Sequence, residues 1–185
     1  MAGHSKWAQI KRQKAVTDAA RSRVFSRYAR LITLESKKAG GLITAPGLAA
    51  VIARAKAANM PKDNIERAIA KGTSKDAGDL ERVVYEAYGP GGAAIVIDAL
   101  TDNKNRTTQE IRLIFTKNEL ELANPGAAVW AFTKKPEGGF AANEPLMDVS
   151  DEDGEKLGRL LDALDEHDDV QEVFTNARGY ENTGD

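Results

Sequence analysis

Lys6, Lys11, Arg12, Lys14, Arg21, Arg23, Arg27, Arg30, Lys37 and Lys38 crowd the first forty residues, and only Asp18 and Glu35 oppose them. Clustered Lys and Arg suit the binding of a polyphosphate, because each phosphate they neutralise releases condensed counterions. Arginine adds bidentate phosphate contacts and a planar face that stacks on bases. Trp7 stands among these cations. It either stacks on an exposed base or packs on Ile10 as a core residue, and both readings stay open.

Little else is arranged for chemistry. The chain has no cysteine, which excludes disulfides, thiolate metal sites and a cysteine nucleophile. His4 and His167 lie at opposite ends, without partners at metal-ligand spacing. "GPGG" lacks the Gly-Lys-Ser/Thr of a phosphate loop and reads as a hairpin turn. "DVSDEDGEKL" fails as a calcium loop: with Gly154 at the sixth position, the first and last ligands become Val149 and Leu160. In "TDNKNRT", Asn103, Asn105 and Arg106 lead into a helix whose backbone N–H groups could hold a phosphate. Ordinary capping and turn formation is the first reading there. No base or nucleophile elbow stands out. The expectation is therefore a protein without catalytic residues, metal, cofactor or small-molecule substrate.

The charge is divided. Residues 1–78 hold 16 Lys or Arg against 5 Asp or Glu, a net of +11, and residues 79–185 hold 10 against 23, a net of -13, which together give the chain's -2. Such asymmetry points to an acidic partner for the first half. No apolar run is long enough to span a bilayer. The N-terminal segment has no apolar signal core, so the expected compartment is the cytoplasm, with a basic mitochondrial targeting segment as the second reading.

These cations must be positioned by helices. Residues 8–39 read as one helix: Val24, Phe25, Tyr28, Leu31 and Ile32 form an apolar stripe, and Arg23, Arg27, Arg30, Lys37 and Lys38 fall opposite it. Gly40-Gly41 stops it. Residues 47–58 read as a second helix. "NMPKDNIERAIAKG" reads as a third, with Pro61 at its first position and Gly72 at C′. "GTSKDAGD" marks a domain boundary. Then come two β-rich runs, "ERVVYEAY" and "AAIVIDALT", around the GPGG turn. A helix follows over "TTQEIRLIFTKN", with a Thr107–Glu110 capping box. "GAAVWAFTKK" reads as a third strand, and "EPLMDV" as a short edge strand or loop. The helix "DEDGEKLGRLLDALDEH", the closing strand "DVQEVFTN" and a frayed tail complete the chain. The fold expected is α+β: a basic three-helix domain with an N-terminal arm over 1–78, then an acidic α+β domain with a small mixed or antiparallel sheet over 79–185.

"MAGHSKW" before a lysine-rich helix, then "NMPKDNIERAIAKG", "YEAYGPGG", "TDNKNRT" and "DDVQEVFTN", closely resembles the YebC/PmpR family, which includes the mitochondrial translational activator of cytochrome c oxidase. The resemblance implies a non-enzymatic regulator of gene expression. Bacterial members are described as DNA-binding transcriptional regulators; others look like ribosome-associated translation factors, some relieving stalls. The N-terminal motif maps onto Gly3, His4, Ser5, Lys6 and Trp7, and the basic helix onto Lys11, Lys14, Arg21, Arg23 and Arg30, each a candidate nucleic-acid contact. The chain departs from the family in two ways. It lacks the further α+β module that typical members carry after the strand matching "AVWAFTKK", and it has Ala49 and Ala50 where related sequences tend toward a basic residue. The partner expected is nucleic acid, DNA first and ribosomal RNA as the alternative, with no membrane.

Overall fold

The computed structural model describes residues 17–75 and 77–181, which divide into two compact units on either side of the Glu81–Arg82 bond. The first unit consists of three helices: α1 (Asp18–Ala39), α2 (Pro46–Ala57) and α3 (Lys62–Thr73). Thr17 caps α1 by accepting the Ala20 N–H, and Gly40, in the left-handed region, ends it. Ile32, Leu48, Val51, Ala55, Met60, Ile65 and Ala68 form the core, and Phe25, Tyr28 and Leu31 pack on its rim. Spacings of three and four residues carry each apolar set onto one helix face.

Gly72 does not end α3. The helix runs through it to Thr73, and Gly72 is buried against Thr33 and Ser36 of α1. The glycine is required by the closeness of the two backbones, not by its own dihedrals.

In the second unit a four-stranded sheet has the order β3-β1-β2-β6, with β1 Glu81–Tyr88, β2 Ala94–Thr101, β3 Leu122–Ala123 and β6 Val170–Thr175. β1 and β2 are joined through a single turn of 3-10 helix, Pro90–Gly92, in which Gly91 and Gly92 have positive φ. Between β2 and β3 lies α4 (Lys104–Lys117), and before β6 lies α5 (Asp151–Asp165). Both helices pack on one sheet face: Ile111 and Phe115 of α4 and Leu157, Leu160, Leu161 and Leu164 of α5 meet Val83, Tyr85, Ala87, Ile95, Ile97 and Ala99. The other face of β2 and β6 is covered by a two-stranded ribbon of β4 (Phe132–Lys134) and β5 (Phe140–Ala142). Phe132, Phe140 and Phe174 meet there edge to face, with ring centroids 6.5 and 5.5 Å apart. β2 is therefore buried at every residue, which accounts for its apolar run from Ala94 to Ile97; the buried Asp98 that interrupts it is paired with Arg82.

Several expectations are corrected. α4 starts at Lys104 with Asn103 as its cap, so Thr107 lies a turn inside and forms no capping box. "GAAVWAFTKK" is a strand only over its end. The buried Glu86 carboxylate accepts the N–H groups of Gly126, Ala128 and Val129, which removes them from any ladder, and a 3-10 turn (Val129–Ala131) follows. "EPLMDV" contributes one bridge, Met147 to Ala177. The tail is not frayed through 181: Ala177 and Tyr180 are buried in the core. No helix among the described residues is long and apolar enough to cross a membrane.

Candidate nucleic-acid interface

α1 sorts its side chains by angle. At 100° per residue, Arg23, Arg27 and Arg30 lie within about 60° of one another, on the side of the helix away from Ile32 and Ser36. Ile32 and Ser36 are buried, whereas the three arginines are partly exposed. Rows at i, i+4 and i+7 are neighbours on a helix surface, so one rod presents three guanidinium groups along about two turns.

The ends of this ridge are engaged differently. At the C-terminal end Lys37 pairs with Asp79, whose carboxyl that hydrogen bond and charge hold below the usual carboxylate range. Lys38 pairs with Glu35 at 2.7 Å. At the N-terminal end Arg21 stands 3.9 Å from Asp18. These pairs are exposed and so contribute little stability; a phosphate can exchange for the carboxylate at small cost. His4, Ser5, Lys6, Trp7, Lys11, Arg12 and Lys14 lie outside the described residues.

The same unit exposes Arg54 and Lys56 of α2 and Lys62, Arg67 and Lys71 of α3. These were absent from the sequence candidates. The +11 charge of residues 1–78 includes them, but they do not stand at i, i+4 and i+7 as the arginines of α1 do.

The second group of candidates sits in the other unit, at the start of α4. Asn103 accepts the Arg106 N–H at 3.1 Å, as ordinary capping requires, and Asn105 is exposed in the first turn. Arg106 donates to the buried carboxylate of Asp169 at 2.7 Å, with Asp102 at 3.2 Å and Glu110 at 3.7 Å. The hydrogen bond to Asp169 holds the guanidinium more firmly protonated. Thr107 Oγ1 lies 2.7 Å from both Asp169 and Thr101. A phosphate arriving at this helix start would meet three carboxylates.

Glu110, His167 and Asp169 also bring metal-ligand atoms within 4.8 Å of one another. Both nitrogens of His167 are engaged, however. Nδ1 accepts the Asp169 N–H at 3.1 Å, which places the ring proton on Nε2, 2.9 Å from Glu110. Arg106 already supplies the cation, so the cluster is a closed structural network.

Comparison with known proteins matches residues 5–75 to the TACO1/YebC protein N-terminal domain and residues 80–145 to the TACO1/YebC second and third domain. A "probable transcriptional regulatory protein" of Fervidobacterium nodosum is 38% identical over 235 aligned positions, taking in 95% of this chain and 93% of its own length. Since 95% of 185 residues is about 176, some 60 positions of that relative have no counterpart here. A protein of the same description from Trichormus variabilis is 43% identical over 190 positions, covering 98% of this chain and 73% of its own. Among solved structures, a conserved hypothetical protein, Aq1575, from Aquifex aeolicus superposes with a TM-score of 0.76 at 29% identity, covering 87% of this chain and 91% of the other.

Proposed function

The chain belongs to the TACO1/YebC family, and from that premise we propose that it regulates gene expression by gripping the phosphate backbone of nucleic acid with α1, duplex DNA being the first candidate. The observation that carries this reading is the row Arg23, Arg27, Arg30 on the outer side of a helix whose inner side is committed to the core. The names of the relatives agree with a regulator. Phosphate contacts fix position and orientation but carry no sequence information. The mechanism is therefore electrostatic docking, with Lys37, Lys38 and Arg21 exchanging exposed carboxylate partners for phosphate as the complex forms. No step of the reading requires bond-making chemistry, so the protein acts as a binding regulator rather than an enzyme.

One observation favours a second reading, structured RNA on the ribosome with assistance to translation. Residues 79–185 carry a net charge of -13. A long duplex would repel that unit, whereas a surface on which RNA and basic protein alternate would accept both halves.

The test sets the two targets side by side. Purified protein is sedimented with ribosomes through sucrose at near-physiological salt and, separately, titrated onto unrelated DNA duplexes. A shift of the duplexes without sedimentation supports the DNA reading; travel with ribosomes under conditions where the duplexes are not shifted supports translation. Binding to neither refutes the nucleic-acid reading.

A further inference from the structure

Trp130 is the most exposed large apolar side chain among the described residues, at 67%, yet its orientation is fixed. Its Nε1–H lies 2.9 Å from the Tyr88 hydroxyl and 3.0 Å from the Ala127 carbonyl oxygen, and the Tyr88 hydroxyl donates to that same carbonyl. Asn143 Nδ2 donates to the Trp130 carbonyl at 3.3 Å. The buried Glu86 carboxylate pins the loop that carries Trp130 through the N–H groups of Gly126, Ala128 and Val129 at 2.7, 2.7 and 2.8 Å. A buried charge under the loop and three hydrogen-bonding partners, the Tyr88 hydroxyl, the Ala127 carbonyl and the Asn143 amide, thus hold Trp130 while most of it stays open to solvent. Tyr88, 37% exposed, and Val84, 41% exposed and on the same side of β1, extend the patch.

The charges beside the ring decide what it receives. β1 and β3 pair Glu86 with Ala123 and Ala87 with Leu122, and one step further along that register sets the exposed Glu121 opposite Tyr88. Glu144, also exposed, directly follows Asn143, the residue bonded to Trp130. Carboxylates so placed repel phosphate and attract cations. An indole face is also the strongest aromatic acceptor of a guanidinium or ammonium group. We propose that Trp130 and Tyr88 form a docking site for an arginine- or lysine-rich segment of another protein, its cations stacking on the indole and pairing with Glu121 and Glu144. The surface belongs to the unit that does not carry the arginine row of α1, so it stands or falls separately from the nucleic-acid reading.

The probe is an octa-arginine peptide. The chain has two tryptophans, so a Trp7→Phe variant reports Trp130 alone by fluorescence. The peptide should change that signal, and Trp130→Ala in the otherwise unaltered chain should weaken binding about threefold or more. Glu121→Gln with Glu144→Gln should weaken it further and flatten its salt dependence. Circular dichroism checks that each variant is folded, which the exposure of all three side chains favours. Three results would overturn the proposal. In the first, Trp130→Ala holds the peptide as tightly as wild type, so that the acids of α5 account for binding. In the second, a single-stranded oligonucleotide perturbs Trp130 and the peptide does not. In the third, sedimentation shows that the chain self-associates through Trp130, which makes a second copy the occupant.

Discussion

Gly72 of α3 lies so close to Ser36 of α1 that a Cβ at position 72 would stand 2.7 Å from Ser36 Cβ and 2.6 Å from the Thr33 carbonyl oxygen. The hydroxyls of Ser36 and Thr33 complete this contact by donating to the Ile69 and Ala68 carbonyls at 2.7 and 3.2 Å. Gly72→Ala should therefore destabilise the helical unit by about 1–3 kcal/mol, the usual range for overpacking, although alanine is the better helix former. Urea unfolding followed by circular dichroism checks it; a stabilised variant would mean the helices part freely.

Thr107 is fully buried, and its hydroxyl joins Thr101, the Asn103 carbonyl and Asp169. Thr107→Val keeps the shape and removes the hydroxyl, leaving the buried Asp169 carboxylate short of a partner. The expected loss is about 1–3 kcal/mol, read as a lower denaturation midpoint.

For Glu86, burial pushes the carboxyl pKa up, but the N–H groups of Gly126, Ala128 and Val129 together outweigh burial and bring it below the usual value. A folded-state pKa below the unfolded one contributes stability above the unfolded value of about 4.3 and loses it as pH falls through the folded value. Glu86→Gln should thus cost about 2 kcal/mol near neutrality, in the range for hydrogen bonds to a charged group. The deficit should shrink as the pH drops below about 4. Midpoints of urea unfolding at a series of pH values check this; a deficit that does not change with pH would contradict it.

Tyr180 lies in the same core as Leu157 and Ile95, and its hydroxyl sits where a Cβ at Gly154 would come within 2.5 Å. Tyr180→Ala should cost about 3–5 kcal/mol, as for other large aromatic-to-alanine changes in a core. Thermal unfolding of the variant beside wild type measures it.

The elements with strong periodicity were legible. The β-rich composition of "ERVVYEAY", the apolar run of β2 and the Leu157, Leu160, Leu161, Leu164 face each marked an element at its observed place. What stayed hidden depends on partners distant in sequence. Nothing local marks Gly72 as a helix crossing, Glu86 as the anchor of a loop forty residues away, or Tyr180 as core, since each role is set by what folds against it. The same holds for "GAAVWAFTKK", whose strand-like composition yields to the carboxylate that takes its N–H groups. The arginine row was legible because it needs only helical spacing. Of the acids around Arg106, Asp102 and Glu110 stand at helical spacing, but Asp169 was not legible, because it reaches Arg106 across sixty-three positions.

The central claim is that Arg23, Arg27 and Arg30 hold nucleic acid, and the most direct measurement is affinity against salt for wild type and for Arg23→Glu/Arg27→Glu/Arg30→Glu, on a DNA duplex and on ribosomes. Each phosphate contact adds about -0.9 to the slope of log K against log salt on duplex DNA. Wild type should show a steep slope on its preferred target, and the variant should lose binding at matched salt while keeping its helical signal. A folded variant with wild-type affinity and slope would remove α1 as the binding surface and, with it, the account given of this protein.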